Sequence, residues 1–194
     1  MKRTDKKGFT GLKSAAAAAA AAICAVFLGG CFLPKVNARM YPISYVEEIK
    51  AAADRYGLDR YLVAAVVATE SGFRPEAVSS VGAEGLMQLM PTTAEWISYR
   101  RGLDHAECDL FDPETNLDYG CWLLKYLLDR YDGSVRNALI AYNAGYGRLD
   151  GWLETGADEN GELKDIPYAE TRNYVEKVNK YMEKYRELYE EELG

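Results

Sequence analysis

The sequence predicts an all-α domain, and three observations support this. Apolar residues recur at helical spacing through most of residues 43–194, side chains that cap helices precede several of these stretches, and glycines interrupt them. No stretch alternates apolar and polar residues as a half-buried strand does, and the sequence has no internal repeat. The predicted helices are too short for an up-and-down bundle, so we expect them to pack around one core.

Residues 1–33 are predicted to be an export or anchoring segment. Five basic residues precede the uncharged run Ala15–Leu33, which is just long enough to span a bilayer. The tetrapeptide at 28–31 resembles a bacterial lipoprotein cleavage box, which would place a lipidated Cys31 at the mature N-terminus. The alternative is an uncleaved signal anchor, which we favour because residues 32–34 continue the apolar run. Both fates place the domain outside the cytoplasm and tether it to the cell membrane.

The domain itself is predicted to span residues 43–194, after a linker at 34–42 that contains a proline near each end. Its charge is acidic, because residues 1–33 carry +4 whereas the whole chain carries −7. Such a surface argues against nucleic acid as a partner, since phosphate binding requires basic residues. The number of remaining residues suits one domain with one hydrophobic core.

The first two predicted helices come early in the domain. Ser44 and Glu47 have the spacing of a capping box, and Asp59 is expected to cap the second helix. That helix continues through the apolar run Ala64–Ala68 to Glu70, so the carboxyl at its end should be poorly hydrated. Burial favours the protonated form of a carboxyl. Glu70 is therefore a candidate proton donor, or alternatively the solvated end of a core helix.

A loop and a third helix follow. Residues 72–84 contain proline and serine, and Gly82 and Gly85 are positions where the chain can turn tightly or let a ligand approach the backbone. Thr92 is expected to cap the next helix, which ends before Gly102.

The C-terminal half is predicted to contain three further helices. Asp112 and the proline after it are expected to begin a long helix, and Ser134 is expected to cap a shorter one that breaks at Gly145. Residues 151–165 are polar and contain glycine, so we expect a loop or small hairpin there. The last helix begins near Ala169 and carries an apolar stripe of Tyr174, Val178, Tyr181, Tyr185 and Leu188.

The four cysteines divide into two pairs. Cys24 and Cys31 lie in the N-terminal segment, whereas Cys108 and Cys121 lie in the domain, where a disulfide could persist. Their spacing leaves a disulfide and two buried thiols both open. The only histidine, His105, lacks a ligand-type spacing to these cysteines, so we predict no metal and no cofactor.

Four short blocks of sequence follow one another along residues 43–187. They are Glu70-Ser-Gly-Phe73, Gly82-Ala-Glu-Gly-Leu-Met-Gln-Leu-Met-Pro91, Ala141-Tyr-Asn-Ala-Gly145 and Pro167-Tyr-Ala-Glu-Thr-Arg172. In this order they resemble the bacterial lytic transglycosylases of the soluble-lytic-transglycosylase (SLT) type, relatives of goose-type lysozyme. The resemblance implies a lysozyme-like fold of short packed helices around a glycan-binding cleft.

The resemblance also implies roles for individual residues. Glu70 would be the general acid and then the base. Six residues would line the glycan groove or support Glu70: Ser79, Gln88, Met90, Tyr142, Asn143 and Glu170. The residue types suit this task, because amides offer donors and acceptors to sugars and a tyrosine can direct its hydroxyl at the acid. Structural interpretations compete: Ser79 could cap a turn, Met90 could belong to the core, and Asn143 could cap a helix end.

The implied activity is non-hydrolytic cleavage of the β-1,4 bond between N-acetylmuramic acid and N-acetylglucosamine in peptidoglycan, giving anhydro-muramyl ends. Hydrolysis normally uses two carboxylates. Within the blocks Glu170 is the only other acid that the resemblance assigns a role, and that role is support or binding. The resemblance implies glycan strands as the partner, whereas the N-terminal segment predicts the membrane as a second one. The sequence does not identify protein partners. The alternatives are a goose-type muramidase and a non-catalytic cell-wall binding protein of the same fold.

Overall fold

A computed structural model of the protein describes residues 39–194, and within them the fold is helical. The helices are α1 (Val46–Tyr56), α2 (Arg60–Glu70), α3 (Pro91–Arg101), α4 (Pro113–Arg130), α5 (Val135–Ala144), α6 (Tyr146–Gly156), α7 (Ala169–Leu188) and α8 (Glu190–Leu193), with a 3-10 turn at His105–Glu107. The only β pairing in this part of the chain consists of isolated bridges. The predicted all-α class is confirmed.

Helix α2 forms the centre of the core and packs most extensively against α7. All seven side chains of the run Leu62–Ala68 are buried, with at most 6% exposure. Burying one valine or leucine contributes about 1.5–3 kcal/mol, so a helix enclosed on every side is held firmly. Glu70 is the last residue of this helix and is therefore attached to one of the most strongly packed elements of the fold.

Three predicted helix caps are present. Asp59 Oδ1 accepts a hydrogen bond from the backbone of α2 at 2.8 Å. Asp112 Oδ2 does the same for α4 at 2.8 Å, and Ser134 Oγ for α5 at 3.2 Å. Each cap satisfies a backbone N–H that the first helical turn leaves free. The three helix starts are confirmed.

Two other predicted caps are wrong. Tyr45 takes the N-cap position of α1 in a left-handed conformation (φ 57°), without a side-chain cap, so Ser44 and Glu47 form no capping box. Helix α3 begins one residue before Thr92, at Pro91, and Met90 occupies its N-cap position without a side-chain cap. Proline is well suited to the first helical position because its missing N–H would have no partner there.

The prediction of a loop or small hairpin at 151–165 is wrong for its first part, where α6 continues to Gly156. Leu149 of α6 is fully buried, and the Trp152 ring packs edge-on against Tyr168 at 5.1 Å. Glycine disfavours helix, so the three glycines of α6 argue against a helix in the sequence. Tertiary packing nevertheless stabilises one. An isolated bridge between Ala157 and Leu163 closes the remainder into a hairpin-like turn.

The domain cysteines are thiols. Cys108 and Cys121 are both free, which rules out the predicted disulfide alternative. Cys121 is fully buried in α4, and burial raises the pKa of its thiol far above the usual range.

The predicted anchor at 1–33, with Cys24 and Cys31, lies outside the described residues, as does most of the predicted linker. Among the helices in the described range, none combines the length and apolarity needed to cross a membrane.

Candidate active site

The loop before α3 is fixed by a buried asparagine that sequence analysis did not single out. The Asn116 side chain of α4 accepts a hydrogen bond from Met87 N at 2.7 Å and donates to the carbonyls of Glu84 at 3.0 Å and Leu110 at 2.9 Å. Gly85 permits this approach, since a Cβ there would lie 2.1 Å from Asn116 Nδ2. The glycine, at φ 78°, thus provides space for Asn116 in a turn.

Gln88 stabilises the same loop from within. It has a left-handed backbone (φ 49°), and its Nε2 donates to the carbonyls of Ala77 at 3.0 Å and Gly85 at 2.9 Å. Since both amide protons are used in the loop, the amide oxygen is the group that can accept a hydrogen bond from a ligand.

Ser79 and Met90 flank this loop. Ser79 Oγ accepts a hydrogen bond from Ala83 N at 2.9 Å, so the structure includes the turn cap that was the alternative interpretation of this serine. Met90 is half-buried, so part of its side chain faces away from the core.

The Glu70 carboxyl has a strongly raised pKa. Burial is the largest influence and raises the pKa to about 7, although the Tyr174 hydroxyl and the Lys177 ammonium both lower it. Lys177 Nζ also donates to the Thr69 carbonyl at 3.0 Å, at the C-terminal end of α2. No second carboxylate of the described part is among the groups that act on Glu70. A large fraction of Glu70 is therefore protonated near neutral pH.

Tyr142 approaches Glu70 from α5. Burial and the Glu70 charge both raise the pKa of its hydroxyl well above the usual value, which keeps it protonated. Its Oη donates to the Met87 carbonyl at 2.9 Å, which ties α5 to the loop. Tyr142 thus lies near Glu70, but its hydroxyl proton is donated to the Met87 carbonyl and not to the acid.

Tyr174 approaches Glu70 from α7 and was assigned only to the apolar stripe by sequence analysis. Burial and the Glu70 charge raise the pKa of its hydroxyl well above the usual value. The hydroxyl is near enough to lower the pKa of Glu70, yet within the described residues it meets no partner at full hydrogen-bond geometry. The sequence spacing indicates that Glu170, Tyr174 and Lys177 share one helix face, because they follow one another at i, i+4 and i+7.

The remaining candidates lie at helix ends. Asn143 is half-buried in the last turn of α5, and the helix end is closed by Gly145 N, which donates to the Ala141 carbonyl at 2.8 Å. Glu170 is exposed in the first turn of α7 and is not among the groups that act on the pKa of Glu70. The structure therefore gathers Glu70, Tyr142 and Tyr174 beside the loop, and leaves Glu170 in solvent.

Comparison with known sequences identifies the family. The profile of the transglycosylase SLT domain matches residues 47–164, more than half of the chain. The chain belongs to the transglycosylase SLT family. Similar proteins include the membrane-bound lytic murein transglycosylase C of Edwardsiella ictaluri, 33% identical over 74% of this chain and 47% of that protein. The soluble lytic murein transglycosylase of Escherichia coli K12 is 33% identical over 75% of this chain and 23% of that protein. The chain thus spans less than half the length of these relatives.

Solved structures confirm the lysozyme-like fold expected of an SLT domain. The 70 kDa soluble lytic transglycosylase of Escherichia coli superposes with a TM-score of 0.69 at 32% identity, over 78% of this chain and 25% of that chain. A complex of the 70 kDa enzyme with bulgecin A gives a TM-score of 0.71 at 30% identity, over 85% of this chain and 27% of that chain. The shared part includes most of this SLT domain and about a quarter of the larger enzyme.

Proposed function

We propose that this SLT domain is a peptidoglycan lytic transglycosylase, which cleaves the β-1,4 bond between N-acetylmuramic acid and N-acetylglucosamine without water. One observation carries the proposal: a single carboxyl with a pKa of about 7 lies at the end of a buried helix between two protonated tyrosines. The family supports the same activity, since similar proteins are named lytic murein transglycosylases.

In the first step Glu70 gives its proton to the glycosidic oxygen of the leaving N-acetylglucosamine. The bond from that oxygen to C1 of the muramyl residue breaks, and positive charge develops at C1. The oxygen of the substrate's own N-acetyl group attacks C1 and holds the charge in a ring, so the protein need not supply a nucleophile. This suits a site in which burial is the main influence on the acid.

In the second step the Glu70 carboxylate removes the proton from the muramyl 6-hydroxyl. The oxygen at C6 attacks C1, the bond to the N-acetyl oxygen breaks, and a 1,6-anhydro ring closes. Glu70 regains a proton, so the same carboxyl serves both steps. The Tyr174 hydroxyl has no partner at hydrogen-bond geometry among residues 39–194 and lies near enough to Glu70 to donate to its carboxylate between the steps.

We propose that the remaining candidates bind the glycan. Gln88 offers its amide oxygen, and Met90 offers a half-buried apolar surface beside the loop. Asn143 and Glu170 have partly or fully exposed polar groups that can bind sugar hydroxyls. For Ser79, whose Oγ accepts from Ala83 N, the hydroxyl proton is the group available to a ligand.

Residues 1–33 are proposed to hold the domain at the outer face of the cell membrane, and similar proteins are named membrane-bound. Mass spectrometry of the membrane-extracted protein distinguishes the two fates. An intact N-terminal sequence indicates the signal anchor, whereas a lipidated Cys31 at the N-terminus contradicts it.

The Glu70→Gln variant tests the role of the acid. The amide cannot release a proton to the glycosidic oxygen, so we expect cleavage of purified cell walls to fall by at least about a hundredfold. Binding to insoluble peptidoglycan should persist, because glutamine keeps the shape of the side chain. Full cleavage activity in this variant would contradict the assignment. Glu183→Gln, at an exposed position of α7, is the matched control for loss of a carboxylate and should stay active.

A further inference from the structure

Four aromatic side chains form a continuous surface across α3, α4 and the start of α6. This aromatic wall consists of Trp96, Trp122, Tyr126 and Tyr146. The Trp122 and Tyr126 rings stack at 5.7 Å with planes 8° apart, and Trp96 meets Tyr126 edge-on at 5.2 Å. Tyr146 lies 6.4 Å from both Trp96 and Tyr126. Mutual packing therefore fixes the rings in place before any ligand binds.

The aromatic wall lies above the core. Leucines of α4 beneath it are buried, with Leu123 at 9% and Leu127 at 1% exposure, whereas Tyr146 is 41% exposed and both tryptophans are half-buried. Four large rings in mutual contact and partly open to solvent form an exposed apolar patch of the kind that commonly marks a binding site.

One pocket joins the wall to Tyr142 of the candidate active site. Trp96 and Tyr146 line a pocket of about 280 Å³ together with Tyr142, whose hydroxyl lies beside Glu70. Thr92 and Thr93 add hydroxyls to the same pocket. An apolar pocket with a few polar groups is the usual form of a small-molecule or sugar site.

Two arginines flank the rings. The Arg100 guanidinium lies 5.8 Å from the Trp96 ring, and the Arg130 guanidinium lies 5.2 Å from the Tyr146 ring. Guanidinium groups beside aromatic rings stiffen the surface through cation–π attraction. The Arg130 guanidinium is also paired with Asp150 at 2.5 Å, which holds it against the ring.

We propose that the aromatic wall binds sugar rings of the same glycan strand, remote from the scissile bond. This inference rests on the proposed function and deepens it. A polymer cut at Glu70 must continue out of the cleft, and the pocket at Tyr142 gives it a path onto the wall. The apolar face of a pyranose ring stacks on Trp96 or Tyr146, while its hydroxyls reach Thr92 and Thr93.

The test is binding of peptide-free chito-oligosaccharides to the Glu70→Gln form of the full chain, measured by titration calorimetry for the tri- and hexasaccharide. We expect the hexasaccharide to bind more tightly than the trisaccharide. Adding Trp96→Ala or Tyr146→Ala should weaken hexasaccharide binding about tenfold and remove most of this length dependence. Tyr99→Ala is the matched control, because Tyr99 lies on the same helix with 82% exposure.

Thermal unfolding checks that each variant folds. If Trp96→Ala does not fold, Tyr146→Ala carries the test, because Tyr146 is exposed. Unchanged hexasaccharide affinity in the folded wall variants overturns the inference while leaving the proposed function intact. An effect seen only with peptide-bearing muropeptides also overturns it, because the wall would then recognise the stem peptide. If the Glu70→Gln protein binds neither oligosaccharides nor peptidoglycan, the proposed function fails together with the inference.

Discussion

At the end of α2 the Glu70 carboxyl is subject to opposing influences on its pKa. Burial raises the pKa, and Tyr174 and Lys177 lower it, with a result of about 7. A carboxyl with a pKa at the working pH is well matched to give a proton in one step and accept one in the next. A glutamate with an ordinary pKa would be ionised almost completely at neutral pH and could not begin the reaction.

Lys177→Met should raise the pKa of Glu70 further, because it removes a positive charge that favours the carboxylate. Cleavage begins from protonated Glu70, so activity is lost as the pH rises through the pKa of this group. The alkaline limb of the kcat/KM profile should therefore move to higher pH in the variant. Tyr142 and Tyr174, which also face Glu70, stay protonated across this range.

Lys177→Arg keeps the charge and is the matched control, with Lys180→Met as a control for an exposed lysine on the same helix. The alkaline limb should stay in place in both. A limb that stays in place in Lys177→Met, or moves to lower pH, contradicts the account of how Glu70 is tuned.

Among the structural elements, the loop before α3 depends on a single side chain of α4. Asn116→Ala removes three hydrogen bonds and takes the partner from two buried backbone groups, Met87 N and the Leu110 carbonyl, whereas the Glu84 carbonyl keeps its bond from Leu89 N. We expect the free energy of unfolding to fall by about 3 kcal/mol, and cell-wall cleavage to fall with it because Gln88 and Met90 lose their support.

Urea denaturation measures this effect, with Asn179→Ala as the control at an exposed position of α7. A loss of stability no greater than that of the control would show that the loop keeps its conformation without the Asn116 hydrogen bonds.

Hydrogen bonds between residues close in the chain can be predicted from the sequence, whereas those between distant residues cannot. The caps Asp59, Asp112 and Ser134 were predictable because their partners lie two or three residues away. Asn116 was not, because it bonds to groups as far as 32 residues earlier in the chain. Helix α6 was missed for a related reason: its own residues disfavour helix, and its stability comes from burying Leu149 against other elements.

For the site, the sequence blocks predicted Glu70, Tyr142 and the Gln88 loop, which the structure places together. They did not predict the source of the raised pKa, because burial of Glu70 depends on how α7 covers α2. Tyr174 was assigned to the apolar stripe for the same reason. The location of its hydroxyl near Glu70 is a property of helix packing, and the spacing along α7 only hints at it.

For the whole molecule, the buried thiol of Cys121 should report global unfolding. It is fully buried in α4, and burial raises its pKa, so both access and the reactive thiolate are suppressed in the native state. In native alkylation followed by peptide mass mapping, Cys121 should stay unmodified while the partly exposed Cys108 reacts. Both should react in denaturant without a reducing agent, and a requirement for reductant would contradict the free thiols.

The proposed activity places one carboxyl in both chemical steps, and the mass of the products tests this most directly. Digestion of purified peptidoglycan by the full chain should release muropeptides that end in 1,6-anhydro-N-acetylmuramic acid, one water lighter than the products of hydrolysis. Such ends are expected from closure of the ring by Glu70 acting as base. Muropeptides with reducing ends in their place would contradict the account and show that a water molecule enters the site.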